Sequence, residues 1–127
     1  MTNQHTTTAT NFDLFKKECK KLIDLLELNN WEVYFTHTDL VDEFAGIDFN
    51  SNDMVATLYL STNWGTGINN TVTNAAIKSS ALHEVIHLLL ASLVGLALDR
   101  FSTRQEIDRE TETMVNKLIT ILNKNCH

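Results

Sequence analysis

His83-Glu84-Val85-Ile86-His87 is an HExxH pentad set inside a strongly apolar run. On an α-helix, positions i and i+4 lie about 40° apart around the axis, one turn up the same face. Two imidazoles so placed can both reach one Zn²⁺ at about 2.1 Å. Glu84 stands about 100° round from His83, beside a metal rather than under it. There it can take a proton from a zinc-bound water, as a general base must. With this chain's His and Glu content the pentad arises by chance in roughly one such sequence in a hundred. The plainer alternative is a set of ordinary polar positions on an apolar helix. It suffers because two His and a Glu are costly to bury without a partner, and a metal removes that cost.

Catalytic zinc takes three protein ligands and keeps a fourth position for water. The continuation His87-Leu88-Leu89-Leu90-Ala91-Ser92-Leu93 lacks the Gly and third His of a metzincin, so the third ligand comes from elsewhere. Glu106, Asp108, Glu110 and Glu112 cluster downstream. Glu110 lies at the edge of the stripe Ile107, Met114, Leu118 and Ile121, and is the first choice. Glu112 borders the other edge beside Val115 and Ile119, and periodicity does not separate the two cleanly. Asp99, Glu106, Asp108 and His37 follow. Each of these acids has a plainer reading as a solvated helix charge.

The elements that must hold these residues are legible from period and capping. Residues 1–11 are Thr/Asn-rich with no apolar period and read as a disordered tail, which leaves 12–127 as a single domain. Phe12, Phe15, Cys19, Leu22, Ile23 and Leu26 recur at helical spacing, predicting a helix to about Leu28 capped by Asn11 or Asp13. Trp31–His37, Phe44–Phe49 and Met54–Leu60 read as strands, together a small antiparallel sheet of about three strands. A long helix is predicted from Thr71–Asn74 to about Val94, with Thr73 or Asn74 as cap and HExxH inside it. A closing helix begins after Thr103, whose capping box Glu106 completes. The fold class is therefore α+β: helix, small sheet, long active-site helix, closing helix.

Composition removes several classes of function. The chain has 127 residues, 43% of them hydrophobic and 20% charged, enough for one domain and too apolar for wholesale disorder. A net charge of −6 argues against direct nucleic-acid binding through general positive charge. Four Gly and no Pro leave no phosphate-cradling glycine loop or Pro-rich linker. Cys19 and Cys126 form no metal or disulfide-framework spacing and read as reduced thiols. The start of the chain lacks the pattern of an export signal. The apolar run Val85–Leu98 spans roughly 21 Å as a helix, short of a bilayer. The expectation is a cytoplasmic protein with no membrane partner.

Other notable residues have plain readings. Trp31 and Trp64 are expected to pack the core and a loop. Lys16, Lys17, Lys20 and Lys21 read as the wet face of the first helix, and His127 beside Cys126 as a frayed terminus.

A helix, a small sheet, an HExxH helix and a closing helix bearing Glu resemble a minimal zincin of gluzincin type. The segments HEVIHLLL and ETETMVNKLITIL resemble the small ImmA/IrrE-like and SprT-like metallopeptidase domains of bacteria and phages. The likeness covers roughly residues 31–122 in order of elements, and only HExxH is a specific match. Two special cases lose ground. SprT-like proteins acting at DNA are accompanied by basic or zinc-binding modules, which this acidic chain lacks. Peptide deformylase uses HExxH with a Cys ligand on a strand motif, whereas Cys19 falls in a predicted helix.

The resemblance implies a zinc metallopeptidase acting on a protein or peptide substrate. His83, His87 and an acidic ligand, Glu110 first, would hold Zn²⁺, whose bound water then ionises near pH 7. Glu84 would take that water's proton and pass it to the leaving amine. Zincin substrates lie along an edge strand, for which Met54–Leu60 is the candidate. Tyr59, His37 and Arg104 are available to stabilise an oxyanion. The alternative is a zincin-fold regulatory or protein-binding module that holds zinc without proteolysis. Glu84 favours the enzyme, because a structural zinc needs ligands but no base.

Overall fold

Thr8 starts the first helix, α1 (Ala9–Leu25), in a computed structural model that describes residues 4–99 and 103–125. Thr8 Oγ1 accepts from the Asn11 amide at 3.2 Å while the Asn11 side chain accepts from the Thr8 amide at 2.8 Å. That reciprocal pair satisfies two otherwise orphaned donors and begins the helix before Phe12. Phe15, Cys19 and Ile23 form its buried stripe. The helix closes with Leu28 N–H on Ile23 C=O at 2.9 Å and Glu27 N–H on Asp24 C=O at 3.2 Å. Glu27 takes φ +58° at this Schellman turn, where glycine is usual.

The segment before α1 is part of the fold and not a disordered tail. Backbone bonds tie Gln4 to Val72, His5 to Trp64 and Thr7 to Thr62. Thr7 is buried and donates its hydroxyl to Ser61 C=O at 2.7 Å. The segment has no apolar period because backbone and hydroxyl groups, not greasy side chains, dock it. Residues 1–3 of the expected tail, and the Cys126-His127 pair, lie outside the described residues.

The three strands are β1 (Glu32–Thr38), β2 (Ala45–Asn50) and β3 (Val55–Ser61), in the spatial order β1-β3-β2. β2 and β3 pair antiparallel, whereas β1 and β3 are parallel, so the sheet is mixed and not antiparallel. Side-chain alternation is the same in either ladder, so sequence period cannot tell them apart. The register places Phe35 and Ile47 on either side of Leu58. Ala56, Leu58 and Leu60 are buried on the face that meets the helices. Because β3 is central, both its edges are already hydrogen-bonded. The segment expected to receive a substrate strand therefore cannot do so. Among the described residues the free edges belong to β1 and β2.

After a 3₁₀ turn (Ile68–Asn70), Thr73 caps α2 (Asn74–Leu98), its Oγ1 accepting from Ala76 N–H at 3.0 Å. The helix runs straight through Gly95 to Leu98, beyond the predicted end at Val94. Its 25 residues make it long and apolar enough, by length and composition, to cross a membrane. Here Ile77, Ala81, Val85 and Leu88 are fully buried, and α1, β2 and α3 all pack on it. A continuous apolar run fits a core helix as well as a spanning one. α3 (Arg104–Asn125) starts with Glu106 N–H on Thr103 Oγ1 at 3.1 Å. It buries Met114 and half-buries Ile107, Glu110 and Ile121. The layout is the predicted α+β one, three helices against a small sheet.

Candidate metal centre

The buried residues Ala81, Val85 and Leu88 set the rotation of α2 against its neighbours. With that rotation His83 and His87 face solvent, while Glu84 turns inward and is only 6% exposed. The His83 and His87 Nε2 atoms stand 3.2 Å apart, their rings 4.9 Å between centroids at 68°. His83, Glu84 and His87 each bring a ligand atom within 4.8 Å of the others, a group that can hold a metal ion. It is the HExxH geometry expected of the sequence.

Burial pushes the Glu84 carboxyl above its ordinary range; the His83 and His87 rings pull it back, and Glu43 pushes it further up. No hydrogen bond from a described residue satisfies it. Behind it, burial pushes the Cys19 thiol up, with the Glu84 and Glu18 charges adding to the effect. Cys19 is thus a buried, protonated core thiol.

His83, Glu84 and His87 open onto a cleft of about 910 Å³. Its opposite wall is Ala45 to Phe49 of the β2 edge strand, with Leu40, Asp42, Glu43 and Phe44 from the preceding loop. Trp64 backs this wall, buried and stacked on Phe44 at 4.5 Å and 14°. Trp31 meets Phe49 edge-on at 6.3 Å. Both tryptophans are core residues, as their sequence surroundings suggest.

Compared with protein families, curated proteins and solved structures, this chain matches none. Its functional reading therefore rests on geometry.

The acids named as third-ligand candidates are sorted by burial. Glu110 is half-buried, one turn before buried Met114 on the face of α3 turned to the core, whereas Glu106, Asp108 and Glu112 are exposed. Glu110 stands outside the His83-Glu84-His87 group. Asp99 is the exposed C-cap of α2. His37 is on β1, its Nε2 2.6 Å from Thr7 Oγ1 and its ring stacked on Phe12 at 4.9 Å. Since Thr7 gives its proton to Ser61, the His37 Nε2–H is the donor in that pair.

Of the three oxyanion candidates, Tyr59 alone lines the cleft. Its hydroxyl is hydrogen-bonded to Asp48, which, with burial, raises its pKa. Arg104 sits at the start of α3, 3.9 Å from Asp108. Sequence reasoning missed Asp42, Glu43 and Asp48, which share the cleft with the HExxH residues. The only signal was the Asp42-Glu43 pair just ahead of a strand. Nothing local says which helix that strand will face.

Proposed function

We propose that this protein is a minimal zinc-dependent metallopeptidase of the gluzincin kind, resembling ImmA/IrrE-like and SprT-like domains. The observation that carries the reading is the 3.2 Å separation of the His83 and His87 Nε2 atoms beside the buried Glu84. Two imidazole nitrogens bound at about 2.1 Å to one tetrahedral zinc stand about 3.4 Å apart. The imidazoles are already near the spacing that zinc requires. His83 and His87 would supply two ligands, and Glu110, which stands outside the His83-Glu84-His87 group, would be the third. A zinc ion held there supplies a Lewis acid for the scissile carbonyl and acidifies water at the site.

The remaining steps belong to the chain. Glu84 takes the proton of the attacking water and delivers it to the departing amine. Glu84 lines the cleft beside both histidines, where a carboxylate can reach a water held between them and the substrate. β2, the free edge beside α2, pairs with the extended substrate backbone in the role first expected of β3. Tyr59 also lines the cleft, but its one hydroxyl proton is given to Asp48, so it would serve a developing oxyanion only after leaving that carboxylate.

The test is zinc content and peptide cleavage for wild type, His83→Ala and Glu84→Gln side by side. About one zinc per chain is expected in wild type and in Glu84→Gln, and none in His83→Ala, with cleavage in wild type alone. Cleavage persisting in Glu84→Gln would sink the base assignment. Zinc without any cleavage in wild type would leave a zinc-holding protein-binding module.

A further inference from the structure

The cleft has an uneven charge. Glu84, Asp42, Glu43 and Asp48 all line it, and among the described residues no Lys or Arg does. Neither Asp42 nor Glu43 forms an ion pair with a described residue, since the pairs found are Lys16–Asp13 and Arg104–Asp108. A zinc ion on two histidines and one carboxylate, with Glu84 beside it, is close to neutral overall. Asp42, Glu43 and Asp48 are then uncompensated.

These carboxylates are placed where a bound chain would run. The Glu43 Oε2 lies 3.3 Å from the point where a Cβ on Gly46 would stand, so it folds over the β2 strand itself. Asp48, two residues along the same strand, is held by the Tyr59 hydroxyl. A peptide pairing with the free β2 edge passes its side chains along both positions. A second observation marks the cleft as a place for a ligand: Glu84 is 94% buried, lines it, and has no hydrogen-bond partner among the described residues.

We propose that the cleft selects extended peptides carrying Lys or Arg beside the bond held at Glu84, with Asp42 and Glu43 as the receiving carboxylates. The inference rests on the peptide-cleft reading above and adds a substrate class to it. Ammonium and guanidinium groups gain charge-assisted hydrogen bonds there, while acidic peptides meet like charge in a partly enclosed space.

The experiment is equilibrium binding of fluorescein-labelled, alanine-based peptides to the zinc-loaded Glu84→Gln protein, in which bound peptide stays intact. Three peptides differ only in a central pair of Lys, Gln or Glu. The Lys peptide should bind about tenfold tighter than the Gln peptide and the Glu peptide weakest, with the preference shrinking in high salt. Adding Asp42→Asn and Glu43→Gln should abolish the preference. Asn tolerates the φ of +63° at position 42, and both side chains are exposed, so folding is preserved. Equal binding of the three peptides, no binding of any, or a Lys preference that survives in the double variant would each overturn the proposal. Wild-type cleavage of the same peptides separates the two readings. Cleavage without Lys preference keeps the peptidase and removes this specificity; Lys-selective binding without cleavage does the reverse.

Discussion

Gly95 of α2 lies directly against Ser51 in the turn between β2 and β3: a Cβ on Gly95 would stand 2.7 Å from Ser51 Oγ and 2.8 Å from Ser51 Cβ. Ser51 also donates its hydroxyl to Ala91 C=O one turn earlier, at 3.1 Å. The contact ties the edge strand of the cleft to the helix that carries His83, Glu84 and His87.

Gly95→Ala is therefore expected to destabilise the protein by about 1–3 kcal/mol, although alanine is the better helix former. Urea unfolding measures this, and Ser51→Gly in the same chain should restore most of the loss. An unchanged midpoint in the single variant would mean that Gly95 and the Ser51 side chain do not meet this closely.

Glu84 predicts a pH dependence in the metal-free protein. Its folded pKa is raised, so the stability linked to its neutral form is complete below the unfolded carboxyl pKa and lost as pH rises through the folded value. Glu84→Gln removes that loss. The metal-free variant should be more stable than wild type at neutral pH, by about 1 kcal/mol, with the difference closing in acid. Thermal melts across pH test it, and a variant less stable than wild type at neutral pH would contradict the burial of an unpaired carboxylate.

Position 110 should matter more than position 112 for metal affinity. Glu110 is half-buried on the inner side of α3 and Glu112 is exposed. Glu110→Ala is expected to weaken zinc binding by more than about tenfold, and Glu112→Ala by little. Competition with a chromogenic chelator measures both, and the reverse order would hand the ligand role to Glu112.

The segment ahead of α1 should contribute to stability. Thr7→Val keeps the shape of the side chain but removes the donor to Ser61 C=O and the acceptor for His37. A loss of about 1–3 kcal/mol is expected by chemical denaturation. A neutral result would return residues 4–8 to the status of a dispensable tail.

Much of this site was legible in the primary structure because helices are local objects. Spacing of i and i+4 alone placed His83 and His87 on one face, and Thr73 and Thr103 marked where α2 and α3 begin. The same logic faltered where capping chemistry offered two solutions. Asn11 was expected as a cap of α1 and instead serves as the N3 partner of Thr8.

By itself, then, the sequence determined the α+β class, the order of elements, the helix faces and the HExxH group, all of which follow from neighbours within a turn or two. Tertiary structure alone decided that β3 is central, that β1 runs parallel to it, and that β2 is the edge beside α2. It also brought Glu43 and Asp48 to the cleft and turned Glu110 inward while leaving Glu112 in solvent. The physical reason is that an alternating strand specifies which side chains are buried but not which strand it pairs with. That choice is made by the packing of the whole core, and with it the identity of the residues that share the cleft with the HExxH side chains.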